Sequence, residues 1–257
     1  MQRFTVCAAI FLLSASFAAA DTFTNGNFEN GSLSGWTQGS GYLGSGQLTD
    51  NLKSADFMSG GAQYDAGANA NGVVTVGWDP HTDNKLNMVY AGSYSARVND
   101  QVNNNSVSVL SQTVTNYTDS HIYFAWAAVL QDSHGPTDSD VFQLSLTDNT
   151  TGTVLYNVTY NSATAPAGLF TQSSSNWFYT DWQVANLDVA ARTGDTFTLT
   201  LLAADCPYGG HAGYVYLDGF GGAPPVGGTA PEPATMSLMG ISLAGALLYV
   251  RKLRARK

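Results

Sequence analysis

The chain has 257 residues with 10 Lys+Arg against 19 Asp+Glu, and charged residues make up 11%, well below the ~25% of an average soluble domain. The imbalance is uneven: residues 21–230 hold four bases and eighteen acids, a net −14, while residues 251–257 hold five bases. A surface that acidic repels phosphate backbones and excludes nucleic acid as a partner, and 12% aromatic residues exclude a disordered acidic tail.

In chain order, residues 1–20 read as a secretory signal. Arg3 supplies the basic start, Val6 to Leu13 the apolar run, and Ala18-Ala19-Ala20 the small-residue site at which signal peptidase would cut, between Ala20 and Asp21. Cys7 leaves with the signal. Cys206 then stands alone, so no internal disulfide forms and the fold must hold by packing.

Residues 21–222 are punctuated by Gly, Asn, Ser, Thr and Asp and contain no amphipathic helical stretch. Eight β-rich runs stand between the turns: Val73–Val76, Ser106–Thr115, Ile122–Leu130, Val141–Thr147, Thr153–Tyr160, Trp177–Val184, Thr196–Leu202 and Gly213–Phe220. Phe197, Leu199 and Leu201 alternate with Thr196, Thr198 and Thr200, the period of a half-buried strand. Asp148-Asn149-Thr150-Thr151-Gly152 reads as a hairpin turn. Eight strands without helices predict an all-β domain, a β-sandwich of jelly-roll type. The five tryptophans, Trp36, Trp78, Trp126, Trp177 and Trp182, either fill the core or stack on sugar rings.

Two stretches carry a resemblance. Asn25-Gly26-Asn27-Phe28-Glu29 with Leu33-Ser34-Gly35-Trp36, then Gly92-Ser93-Tyr94-Ser95, then Val215-Tyr216-Leu217-Asp218 resemble the motifs of carbohydrate-binding modules with the galactose-binding-like jelly-roll fold. That resemblance implies a glycan or partner-binding sandwich. It also implies a structural calcium ion held by the Glu of the opening motif and the Asp of the last strand, here Glu29 and Asp218. Two hard carboxylates joining the first and last strands suit Ca²⁺. The alternative is a solvated turn carboxylate and a strand-end Asp.

Asp205-Cys206-Pro207-Tyr208-Gly209-Gly210-His211 and the strand Gly213–Tyr216 behind it look like a recurrent closing motif of secreted bacterial surface proteins, as does Tyr123–His134. Cys206 and His211 are of the type that ligates a metal or forms a nucleophile–base pair. Zinc needs about four ligands, however, and no second Cys/His cluster is near in sequence. The plainer reading is a buried Cys with His211 hydrogen-bonded across a Gly-rich turn.

After the linker 223–230 come Pro231-Glu232-Pro233, an apolar run Ala234–Val250 and the basic end Arg251-Lys252-Leu253-Arg254-Ala255-Arg256-Lys257. Seventeen residues give a helix of about 25 Å, at the short end of what crosses a bilayer core of ~30 Å. The basic cluster would stay cytoplasmic and leave the acidic domain outside. This order resembles the PEP-CTERM sorting signal. The resemblance implies recognition by an exosortase, processing near Pro231-Glu232-Pro233, and release or surface attachment. The expectation is an exported, membrane-tethered and then surface or matrix protein that binds extracellular polysaccharide or a partner without catalysis. The alternatives are a secreted polysaccharide-acting enzyme and a purely structural envelope component. Glycosidases need two placed carboxylates, and Glu29 is the only Glu in 21–230.

Overall fold

The computed structural model describes residues 22–225 other than Ala165. The signal, its cleavage site at Ala20 and Asp21, the Pro231-Glu232-Pro233 motif and the apolar run 234–250 lie outside the described residues. Among the described residues no helix is long and apolar enough to cross a membrane.

Twelve strands build two antiparallel sheets. One has five strands in the order β1 (Thr37–Tyr42), β4 (Ser106–Val114), β11 (Phe197–Ala204), β6 (Val141–Asp148) and β7 (Thr153–Asn161). The other has β2 (Gly72–Thr75), β3 (Tyr94–Val98), β12 (Gly213–Gly221), β5 (His121–Gln131), β9 (Trp177–Thr180) and β8 (Phe170–Gln172), with β10 (Gln183–Asp188) also on β5. The chain passes repeatedly from one sheet to the other, so the two faces must bury each other. This is the jelly-roll-like β-sandwich that the alternating patterns predict. The only α-helix described is one turn, Ser54–Phe57 (α1).

Alternation decides what each face carries. In β5, Phe124, Trp126, Ala128 and Leu130 point between the sheets, while Ala127 and Val129 face outward. Leu144 and Leu146 of β6, Leu199 and Leu201 of β11, and Val215 and Leu217 of β12 complete the inner core. Both outer faces are partly roofed by loops. Leu43, Leu52 and Phe57 cover Val107, Val109 and Leu202. On the other side Leu86 and Met88 cover Val129, Tyr214 and Tyr216.

Four strands exceed the eight expected, each for a local reason. β1, Thr-Gln-Gly-Ser-Gly-Tyr, lacks β-branched apolar residues because other chain presses on it: a Cβ at Gly41 would lie 2.1 Å from the Gln63 carbonyl oxygen. β3 and β8 are only five and three residues long. The expected strand Trp177–Val184 is broken at Asp181 and Trp182. The register against β5 slips by one residue between Tyr179↔Val129 and Gln183↔Trp126, the mark of a bulge. Thr180 Oγ1 there accepts the Ala128 N–H at 3.0 Å.

Candidate functional site

Three groups of candidate functional side chains emerge. The first is the Glu29–Asp218 pair. The opening motif is a knot of turns: the Asn25 side-chain amide donates to the Ser32 and Ser34 carbonyls, and the Trp36 indole N–H donates to the Asn25 carbonyl at 3.1 Å. Phe220 N–H donates to the Gly26 carbonyl at 2.9 Å, which fastens this knot to β12. Only glycine fits at that crossing, since a Cβ on Gly26 would sit 1.7 Å from the Phe220 oxygen. Glu29 and Asp218 then hold the same stretch of chain, residues 90–94. Glu29 Oε1 accepts from Ser93 N at 2.8 Å and Tyr94 N at 3.0 Å. Asp218 Oδ2 accepts from Tyr90 N and Ala91 N, and Oδ1 from Gly219 N.

Glu29 is exposed and Asp218 fully buried. Burial pushes the Asp218 carboxyl up to about 7, against the pull of the Ala91, Gly219 and Tyr90 N–H groups; the Glu29 charge adds to the rise. Beside the pair lies a groove of about 500 Å³, lined among others by Asn25, Asn27, Glu29, Gly92 and Pro225. The side-chain donors at this groove are hard oxygens, the set that suits calcium. Each carboxylate oxygen has two lone pairs. Glu29 Oε1 and Asp218 Oδ2 each already accept two N–H groups, so the capacity left for an ion lies in Glu29 Oε2 and the second lone pair of Asp218 Oδ1.

The second group is aromatic and sits on the outer face of the larger sheet. Trp36, Trp126 and Trp177 are buried at 7%, 2% and 5% exposure, whereas Trp78 is 59% exposed. Trp78 pairs with Asn87 across a small antiparallel bridge, and the half-buried Trp182 donates its indole N–H to the Asn87 carbonyl at 2.8 Å. Tyr90 packs on Trp182 with ring centroids 5.5 Å apart.

The loop carrying Trp78 is anchored by the next residue. Asp79 is fully buried, and its Oδ2 accepts from the hydroxyls of Tyr214 and Tyr216 at 2.7 Å each. Its Oδ1 accepts the His81 N–H at 2.8 Å. Burial and the Asp79 charge hold both phenols well above their usual range. The His81 ring stacks on Trp177 at 4.1 Å, and burial lowers its pKa against the opposing charge of Asp79. Nothing in the spacing of the sequence points to Asp79. Its signal is a lone carboxylate between the exposed Trp78 and a proline.

The third group lies at the other end of β12. Cys206 N–H donates to the His211 carbonyl at 3.1 Å, closing the turn, and the Gly210 N–H points at Cys206 Sγ at 3.5 Å. His211 Nδ1 is also 3.5 Å from that sulfur, and Cys206 is fully buried. Asp205 anchors the turn. Its carboxylate accepts from Asn99, Gly213 N, Asn104 N, and both the N–H and hydroxyl of Ser106. Burial pushes Asp205 up to about 7 against these donors. Asp140, buried beside it, is held well above the carboxylate range by burial and the Asp205 charge, with Ser162 opposing.

The sequence brings no third ligand near Cys206, but the fold does. Gly213 of β12 pairs with Leu130 of β5, so the chain leaving β5 meets the chain entering β12. Gln131 bonds Ala212 in both directions, and the exposed His134 lies edge-on to His211 at 5.0 Å and to Tyr208 at 4.9 Å. His134, Cys206 and His211 each offer a ligand atom within 4.8 Å of the others. Burial and neighbouring His134 lower the His211 pKa, with Asp132 opposing.

The PEP-CTERM protein-sorting motif matches residues 229–254. The chain thus carries a PEP-CTERM sorting motif, which implies an exosortase-sorted, exported protein. Among curated proteins no relative matches it. Solved structures similar to it include TmCBM61 in complex with beta-1,4-galactotriose, 13% identical over 78% of this chain and 96% of that one, with a TM-score of 0.40. The Caldicellulosiruptor saccharolyticus module CBM27-1 in complex with mannohexaose is 15% identical over 77% and 93%, with a TM-score of 0.36. The K1 cleaved adhesin domain of Lys-gingipain from Porphyromonas gingivalis is 13% identical over 76% and 94%, with a TM-score of 0.32.

Proposed function

We propose that this is an exosortase-processed surface or extracellular-matrix protein whose sandwich binds a neutral polysaccharide without cleaving it. The observation that carries the reading is Trp78, an open indole held on a rigid loop beside the Tyr90–Trp182 pair. Flat aromatic faces backed by fixed polar groups suit the apolar faces of sugar rings. The net −14 of residues 21–230 disfavours polyanionic glycans, and stacking on an indole needs no charge on the sugar, which makes neutral polysaccharide the proposed ligand class. Against acid–base catalysis stands the burial of the raised carboxylates: Asp140, Asp205 and Asp218 are all at 0% exposure, out of reach of a glycosidic oxygen.

In this reading signal peptidase cuts after Ala20. The apolar run 234–250 holds the chain in the membrane, and exosortase then processes it near Pro231-Glu232-Pro233. Glu29 and Asp218 hold a structural calcium ion that ties the opening turns to β12. The test is migration of the full chain through gels cast with neutral polysaccharides, alongside a reducing-end assay. Retardation that Trp78→Ala abolishes, with no new reducing ends, supports the proposal. New reducing ends would make the protein an enzyme. Unretarded migration through every neutral polysaccharide would leave the structural-coat reading.

A further inference from the structure

We propose that His134, Cys206 and His211 form a zinc site at the end of β12 opposite Glu29 and Asp218. Zinc–thiolate and zinc–imidazole bonds of about 2.3 and 2.0–2.1 Å at a tetrahedral angle place the sulfur and nitrogen about 3.6 Å apart. Cys206 Sγ and His211 Nδ1 are 3.5 Å apart. The His134 ligand atom lies within 4.8 Å of both. Because His134 is exposed, a side-chain rotation closes that gap without moving the core. Among the described residues this is the one place where three Cys, His or carboxylate ligands converge.

A simple thiol–imidazole hydrogen bond explains Cys206 and His211 but leaves His134 only its ring contacts with His211 and Tyr208. A metal ion uses all three. The turn is also built in advance: Asp205 and the Cys206–His211 backbone bond hold its ends, and the Gly210 N–H points at the sulfur as an outer partner. A nucleophile–base pair would need its sulfur open to a substrate, but Cys206 is fully buried. An ion enters from the side of His134 and needs no such opening.

One sulfur and two nitrogens do not suit calcium or magnesium, which take oxygen. Copper sites of this His₂Cys composition add a long axial Met, Gln or backbone oxygen. The two described methionines, Met58 and Met88, sit in other apolar clusters, and the Gln131 Oε1 nearby already accepts the Ala212 N–H at 3.1 Å. Three protein ligands leave a fourth zinc position for water or an outside donor. On binding, the Cys206 thiol gives its proton to solvent and the sulfur bonds the ion, while each imidazole binds as the neutral ring. The assignment is independent of glycan binding.

The test uses the full chain without a polyhistidine tag, stripped by chelator and titrated with zinc against a chromophoric chelator, and with cobalt for its spectrum. One zinc per chain is expected. The cobalt form should show a sulfur-to-metal charge-transfer band and the intense visible bands of a tetrahedral ion, with the charge-transfer band lost in Cys206→Ser. His134→Ala and His211→Ala should each weaken zinc by at least about 100-fold, the upper end of what losing an outer partner costs. His134→Ala changes only an exposed side chain, so it should melt with the stripped wild type and keep the comparison valid. No zinc bound to wild type, cobalt bound without the charge-transfer band, or unchanged zinc affinity in His134→Ala would overturn the site.

Discussion

Removing the Tyr216 hydroxyl should destabilise the protein and weaken glycan binding, although Tyr216 touches no ligand in this account. The phenol is fully buried on the outer face of the larger sheet and donates to Asp79 Oδ2 at 2.7 Å. A hydrogen bond to a buried charged group contributes about 1.5–3 kcal/mol. In Tyr216→Phe the Asp79 carboxylate keeps Tyr214 and the His81 N–H, and among the described residues it forms no ion pair that would replace the lost donor. A domain of this size loses about 2–4 °C per kcal/mol, so the melting temperature should fall by about 3–12 °C. The assay is thermal melting in a double-mutant cycle with Asp79→Asn. In that background the bond is neutral, and Tyr216→Phe should cost only about 0.5–1.5 kcal/mol. Trp78 is the residue before Asp79, so loosening the anchor should also reduce retardation by polysaccharide. If Tyr216→Phe melts with the wild type, or costs the same with and without the Asp79 charge, Asp79 is not the anchor of the loop.

Trp78→Ala should leave the melting temperature within about 2 °C, because an indole 59% exposed contributes little burial, while glycan retardation disappears. Calcium at 100 times its dissociation constant should stabilise by about 2.7 kcal/mol, raising the melting temperature by several degrees; magnesium should do less, and Glu29→Gln should lose most of the shift. An equal shift in that variant would take Glu29 out of the site. Arg192 pairs with the fully buried Asp148, whose carboxyl burial pulls up but which Thr151, Arg192 and Thr150 hold below its usual value. The stability from that lowered value is present above the unfolded pKa of ~3.9 and lost as pH falls below it. Arg192→Ala should therefore lower the melting temperature clearly at neutral pH and much less near pH 2; equal loss at both would contradict the pairing. Replacing Pro231, Glu232 and Pro233 by Ala should leave a full-length, membrane-retained chain, and normal shortening and release would refute exosortase processing at that motif.

The strands that read clearly were those with a strict period of two. In β11, Phe197, Leu199 and Leu201 face the core as alternation demands. The hairpin at Asp148–Gly152 joins β6 to β7 as its turn residues indicate, with Gly152 at φ +70°. β1 was not legible, because close chain contacts, rather than β propensity, dictate its glycines. The bulge at Asp181 and Trp182 was hidden inside an apparently continuous run.

Sites followed the same division. Glu29 and Asp218 came from a resemblance, and the structure places both on residues 90–94. The turn from Asp205 to His211 was visible as a unit, but His134 is 72 residues from Cys206 in sequence. Only the pairing of β5 with β12 joins them, and local patterning does not report such long-range register. Five tryptophans looked alike as candidates; burial separates three core residues from Trp78.

The most direct test of glycan binding at Trp78 is nuclear magnetic resonance of the full chain labelled with ¹⁵N only in tryptophan. Five tryptophans give five indole N–H signals, assigned by substitution. On addition of a neutral polysaccharide that retards the protein, the Trp78 signal should move most and the Trp182 signal less. The buried Trp36 and Trp126 should stay in place. Retardation with an unmoved Trp78 signal, or with the largest shift at a buried indole, would contradict the account.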